Sequence, residues 1–375
     1  MISPRNEWLA RLARSRLLDV VAVCVAVFSV ARIAVLLPER AAQNDFAHYY
    51  LSGDLLRAGA NPYKVPLQPL YARHGFVFEE TLPTTTDPPS LLILFSVLGT
   101  LTPQTAFWVW VFVEAACLGL LLWLLRDRLS ARGWLFVCAA ALSSRAVCYH
   151  FLYSQVQLPV ATLLLAAYFS QRNGRDNAAC LLVTFAGLLK LFPFLLLPWF
   201  VWRSQKKLKS LSLSLAVIVV AIVVTGPARW WHFVCDALPR LAQYAAVCSD
   251  CYSLPALVAK MPGWSLAGLG LALISYIICW RGDDPEAEFC LLSVVAVAAS
   301  LVAWIHYFVL LIFPLAALAV RLKENPTVWR LLRFVLVIAM LEEIHPALTV
   351  WGVMVLAFLW GQDLLNRQRA RGGCQ

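Results

Sequence analysis

A carboxylate, an amine and an imidazole each sit in a short polar break of an otherwise apolar chain of 375 residues. Asp45 stands in Asn44-Asp45-Phe46-Ala47-His48-Tyr49-Tyr50, just beyond the first long apolar run. A carboxylate followed by tyrosines can take a proton from a substrate hydroxyl. Asp is equally a good helix N-cap, and the residues alone leave both readings open. Lys190 interrupts the apolar hairpin Ala178 to Phe200. A lysine at membrane depth is costly and usually has a partner or ligand. It can pair with a lipid phosphate, or merely snorkel to the headgroups. His306 lies between Trp304 and Tyr307 where two apolar runs meet. An imidazole there can shift a proton near neutral pH or donate to a phosphate, or be a buried structural residue. Gln155 and Gln157 can hydrogen-bond a polar ligand, or satisfy backbone at a helix break.

Other polar groups are weaker signals. Trp230, Trp231 and His232 read first as an interfacial belt and second as a surface on which sugars stack. Glu342, Glu343 and His345 precede Pro346 and read as a solvated turn, with a metal-contacting cluster as the alternative. Of eleven cysteines, Cys24, Cys117, Cys138, Cys180, Cys279 and Cys290 lie in apolar runs and read as small core residues. Cys248 and Cys251 lie in a polar loop, where a disulfide is open. A zinc site would need two further ligands at suitable spacing, and none is evident. There is no Gly-rich phosphate-cradling loop and no Gly-x-Ser-x-Gly elbow.

The elements that must hold these residues are membrane helices. The chain is 61% hydrophobic and only 14% charged, with mean hydropathy +0.73, well outside the range of soluble domains. The net charge of +10 does not point to nucleic acid, because the basic residues lie in short connectors where they orient helices. Leu17 to Leu37 is a first span and resembles an uncleaved signal anchor. Arg5, Arg11, Arg14 and Arg16 precede it and keep the N-terminus in the cytoplasm. Further spans are expected at 104–125, 133–149, 155–170, 178–189, 191–202, 211–226, 264–280, 289–304, 306–320, 328–343 and 347–361. The stretch 90–101 reads as half-embedded, and Phe46 to Ala58 as an interfacial helix. The fold class is thus all-α: a polytopic bundle of about 12 spans forming one domain over 1–375, with both termini inside. Extracytoplasmic loops are expected at 38–89 and 227–263. In this topology Asp45, the Ser154–Gln157 turn, the Lys190–Pro193 turn, loop 227–263 and Trp304–Tyr307 converge on one outer cavity. No internal repeat is evident, which weighs against a transporter built on inverted repeats.

With these motifs in order, the chain resembles the multispanning GT-C glycosyltransferases, and more narrowly glycosyltransferase family 87, the polyprenol-phosphate-mannose-dependent mannosyltransferases. Asp45-Phe46-x-x-Tyr49-Tyr50 with Gly59-x-Asn61-Pro62-Tyr63 resembles the family's first-loop pattern. Asp87-Pro88-Pro89 resembles its Tyr-x-Pro-Pro element, with Asp87 before the two prolines but without the usual Tyr. Tyr153-Ser154-Gln155-Val156-Gln157 resembles its Gly-Gln-x-Asn turn, with Ser154 for Gly and Gln157 for Asn. Gly187 to Pro193 resembles its Lys-x-x-Pro hairpin. Ser253-Leu254 resembles a later Ser-Leu, and Trp304-Ile305-His306-Tyr307 its Trp-x-His-Tyr element.

The resemblance implies an integral, multi-pass enzyme of the plasma (inner) membrane with its active site on the extracytoplasmic face. It implies a polyprenyl-phosphate sugar as donor, most simply mannose, and a glycan or glycolipid acceptor, with membrane lipids as the other partners. Asp45 would be the general base of a one-step inverting transfer. Lys190 would bind the donor phosphate, and His306 would assist at the reacting centre. Tyr49, Tyr50, Gln155, Gln157 and Tyr307 would contact substrate. No cofactor and no metal is implied. The competing readings are a lipid or solute transporter and a non-catalytic envelope assembly protein. Donor sugar, acceptor, linkage and oligomeric state stay open.

Overall fold

The computed structural model describes residues 16–40, 45–77, 84–248, 251–258, 265–280, 282–324, 337–338, 341–342 and 346–372. Arg5, Arg11, Arg14, Glu343, His345, most of the expected span 328–343 and parts of loops 38–89 and 227–263 lie outside these residues. Among the described residues all regular structure is helical. Helices satisfy every backbone group internally, as an apolar solvent demands.

Five helical stretches are long and apolar enough to cross a bilayer: Arg16–Arg40, Pro103–Arg128, Lys207–Thr225, Ile305–Leu322 and Ala347–Arg367. A sixth results if Ala131–Ser143 and Arg145–Tyr153, bent by 51° at their junction, count together. Other expected spans are shorter helices. The expected pair 178–189 and 191–202 folds as Asp176–Leu189 and Phe192–Arg203 on either side of Lys190. A 14-residue helix is about 21 Å long, short of a hydrocarbon core of about 30 Å. The break at Lys190 falls where the charge in the apolar hairpin placed it. The stretch read as half-embedded is the ten-residue helix Pro89–Leu98.

The elements that position the polar breaks are α1 (Arg16–Arg40), α2 (Asp45–Arg57), α3 (Pro89–Leu98), α4 (Pro103–Leu125), α5 (Ala131–Ser143), α6 (Arg145–Tyr153), α7 (Gln157–Arg172) and α8 (Asp176–Leu189). Local chemistry sets their ends. Thr102 caps α4 by accepting from Thr105 N, and Pro103 follows at the first helical position. Ser144 breaks α5 from α6: its extended backbone ends one helix, and its hydroxyl accepts from Val147 N to start the next. In helix α2, the expected interfacial helix, Phe46 through Gly53 are all buried in the protein. It can pack so deeply because Gly53 has no side chain. A Cβ there would lie 2.5 Å from the Phe95 carbonyl carbon of α3.

The basic connectors meet at one end of the bundle through ion pairs. Arg321 contacts Asp284 (2.9 Å), Glu286 (3.4 Å) and Asp363. Arg367 pairs with Asp284 (2.9 Å), and Arg128 with Glu286. Arg203 pairs with fully buried Glu288, which also accepts from Trp199 Nε1 at 2.8 Å. Arg132 at the start of α5 pairs with Asp19 at the start of α1. Connectors that the distribution of Arg and Lys assigns to a common side are therefore joined to each other. The acidic residues of 283–288, which carry little weight in topology, supply the counter-charges.

Candidate functional site

The cluster around Asp45 is built at the other end of α4. Trp110, 18 residues and about 27 Å before Arg128, donates its indole N–H to the Ser154 carbonyl at 3.2 Å. Ser154 is the described non-glycine residue with left-handed backbone (φ 50°), and this ends α6. The next residue, Gln155, turns its amide onto α2. Its Nε2 donates to Asp45 Oδ2, and its Oε1 accepts from the Tyr49 hydroxyl at 2.8 Å. Asp45 and Tyr49 are one helical turn apart, so a single glutamine side chain spans that turn. Asp45 also lies in the first turn of α2, where the helix dipole favours a carboxylate.

Behind this turn, α4 and α6 are joined a second time. Glu114 Oε1 lies 3.1 Å from His150 Nε2, and both side chains are fully buried. Glu114 is one turn past Trp110, and His150 is one turn before Ser154. The Trp110 bond holds the Gln155 turn in place, with the Glu114 and His150 side chains packed against each other behind it.

Lys190 ends α8 and lines the same cavity as Asp45. Gly187 allows the chain to fold back tightly there, since a Cβ would meet the Phe194 ring at 2.6 Å. The Lys190 ammonium is 2.6 Å from Asp87 Oδ1 and 5.4 Å above the Tyr49 ring. Burial alone would lower the Lys190 pKa; Asp87, Tyr307 and Asp45 outweigh it and hold the group above the ordinary lysine value, hence charged. Asp87 is itself fixed. Its carbonyl accepts from the Tyr63 hydroxyl at 2.6 Å, and its N–H donates to Thr85 Oγ1 at 3.3 Å. Burial, reinforced by Asp87, pushes the Tyr63 pKa upward, which keeps the hydroxyl a donor. The second Asp87 oxygen faces His48 Nε2 at 3.6 Å, and that nitrogen is also 3.2 Å from Thr85 Oγ1.

His306 is the second residue of the 3₁₀ helix Ile305–Leu311. Its ring lies 6.2 Å from Tyr153 and 5.8 Å from Trp304. Neither of its buried ring nitrogens has a hydrogen-bond partner within the described chain. A buried polar group in that state calls for an explanation, and a ligand is one.

These groups share one cavity of about 860 Å³. Asp45, Tyr49, Gln155, Lys190, His306 and Tyr307 all line it. So do His48, Asp87, Arg145, Tyr149, Tyr153, Tyr244 and Trp304, while Leu191, Phe192, Leu195, Phe233, Leu238 and Leu241 give it an apolar flank. Tyr50 is not brought into the cavity lining: it is buried among Phe46, His74 and Phe76 and donates to the Leu101 carbonyl at 2.9 Å. Gln157 is fully buried and does not line the cavity either. Trp230 donates to Thr225 Oγ1, His232 pairs with Asp236, and Trp231 is largely exposed; the three are absent from the cavity lining. Glu342 is tied to Arg145, accepting from its N–H at 3.1 Å and through its own carbonyl from the guanidinium at 3.0 Å. Cys248 and Cys251 form a disulfide.

Two participants escaped the sequence reading. Asp87 was noted only as a departure from a pattern, because its partner Lys190 is 103 residues away. His48 was in the quoted cluster, but its contacts at Thr85 and Asp87 are not local. The spacing Arg145, Tyr149, Tyr153 is a helical stripe that a search for period could have found.

A cavity with a proton-accepting carboxylate, a fixed cation and an apolar flank can activate a hydroxyl beside an anionic, lipid-bearing substrate. A family model described as glycosyltransferase family 87 matches residues 86–342. The matched stretch contains Asp87, Gln155, Lys190 and His306 but not Asp45, which the fold brings to them. No curated protein and no solved structure matches the chain.

Proposed function

Since the chain belongs to glycosyltransferase family 87 and is a membrane glycosyltransferase, we propose that it transfers mannose from a polyprenyl-phosphate donor to an acceptor hydroxyl. The transfer inverts the anomeric centre in one displacement, with Asp45 as general base. In this reading the bundle is of the GT-C type and lies in the plasma membrane. It crosses about 12 times, some crossings being made by short or bent helices. The joined basic connectors face the cytoplasm and the cavity faces outward.

The observation that carries the reading is the hold of Gln155 on Asp45 and Tyr49, in one cavity with Lys190. Gln155 holds one Asp45 oxygen, and Asp45 lines the cavity where a base would meet its substrate. Lys190 supplies a fixed positive charge where the donor phosphate would lie, and its charge offsets the one that grows on the leaving phosphate. The apolar flank from Leu191 to Leu241 suits the first units of a polyprenyl chain. His306 would donate to the phosphate or to a sugar hydroxyl.

Incubation of membranes holding the protein with radiolabelled polyprenyl-phosphate-mannose and a lipid extract tests this. Label transferred to an acceptor is expected. Label that stays entirely on the donor, while another polyprenyl-linked sugar is transferred, would replace mannose in the reading.

A further inference from the structure

Part of the cavity lining is aromatic. Helix α6 presents Arg145, Tyr149 and Tyr153 at intervals of four residues, so they share a face. The Tyr149 and Tyr153 rings are parallel to within 18° with centroids 5.9 Å apart. Arg145 places its guanidinium carbon 5.6 Å from the Tyr149 ring, and the Glu342 carbonyl holds that guanidinium. From Tyr153 the series continues through His306 at 6.2 Å to Trp304, 5.8 Å further on, and then to Tyr244 at 6.4 Å. All of these residues line the one cavity.

Two features separate this wall from ordinary interfacial aromatics. A belt residue faces outward, as Trp231 does at 68% exposure without touching the cavity. Tyr149 and Tyr153 instead line a concave space, and Tyr153 is 40% exposed there. The wall also has a direction. Tyr153 leads directly through Ser154 into Gln155, which holds Asp45. Tyr149 lies one turn farther away, about 6 Å along the helix, which is close to the length of one pyranose unit.

We propose that Tyr149 and Tyr153 form an acceptor subsite for a chain of at least two sugars, with the reacting hydroxyl at Asp45 and the preceding units laid along α6 toward Arg145. This rests on the glycosyl-transfer reading for the identity of the reacting end. The recognition chemistry follows from the rings. The aromatic face is electron-rich, and the apolar face of a pyranose carries weakly positive C–H groups. Stacking buries both without leaving the sugar hydroxyls unpaired, since these point sideways to polar groups. Arg145, with its fixed fork of donors, ends the row.

The test is binding, which needs no turnover. Octyl glycosides bearing one, two and three mannose units, and a matching glucose series, are titrated against the purified protein in micelles. In at least one series affinity should rise about tenfold, the equivalent of ~1.4 kcal/mol, between one and three sugars. Tyr149→Ala and Tyr153→Ala should each erase that dependence, and Tyr149→Phe should retain it. A merely structural role would lower binding of every length alike and leave the ratio unmoved. Equal affinity for all lengths in both series, or a length dependence that survives both alanine variants, overturns the subsite. If length-dependent binding holds but no polyprenyl-linked sugar is ever transferred, the transfer reading fails and the subsite stands.

Discussion

The Lys190 ammonium lies 2.6 Å from the Asp87 carboxylate, and both side chains are nearly buried. The cation expected to meet a donor phosphate therefore already has a partner within the chain. With Asp45 in the same cavity, two carboxylates face it. Lys190 thus acts beside two carboxylates rather than as an isolated cation.

Breaking a buried pair from one side leaves an uncompensated charge and costs about 3–5 kcal/mol. Lys190→Met and Asp87→Asn should each lower the melting temperature markedly. The double variant should recover much of it, because no charge is stranded. It should still fail to transfer sugar, since the phosphate-facing cation is gone. Thermal unfolding in detergent and a transfer assay check the two halves separately.

The pair's pH dependence has a definite sign. The folded Lys190 pKa is raised, so its stabilisation is complete below the unfolded lysine value of about 10.4. It is lost only as pH climbs through the higher folded value. The difference in melting temperature between wild type and the double variant should stay level from about pH 7 to 9. A steady decline over that range would show that Lys190 discharges early.

Gln155 is the link between the two halves of the site. Gln155→Leu keeps the volume but releases Asp45 and Tyr49. Turnover should fall by about 10², while the protein still folds on the Trp110 and Glu114 contacts. A kcat within a factor of two of wild type would show that Asp45 is oriented by something else.

At the opposite end, Arg321 touches Asp284, Glu286 and Asp363 and lies over the Trp360 ring. Arg321→Met should destabilise the protein by about 3–5 kcal/mol, with donor KM unchanged in the fraction that remains folded. Unfolding curves and donor titrations at a permissive temperature distinguish these effects.

Much of this architecture was legible because it is written in local patterns. Apolar length announced a helical membrane protein, and Asp45 with Tyr49 announced one helical turn. Lys190 stood out because a charge in an apolar hairpin is rare. What escaped was angular or long-range. Tyr49 and Tyr50 are adjacent in sequence but about 100° apart around a helix, so only Tyr49 reaches Gln155 while Tyr50 bonds Leu101. Asp87 needed Lys190 from 103 residues away before its charge had meaning. Where a long apolar run bends was also hidden: Ser144 divides one into two helices inclined by 51°. A hydropathy pattern carries no sign of that bend.

Asp45→Asn tests the central claim most directly. It keeps the shape of the side chain and its capacity to accept from Gln155, and removes the proton-accepting charge. Transfer from polyprenyl-phosphate-mannose should fall by about 10² to 10⁴, with donor affinity preserved because Lys190 is untouched. A variant that retains more than about half of the wild-type rate would contradict Asp45 as the base.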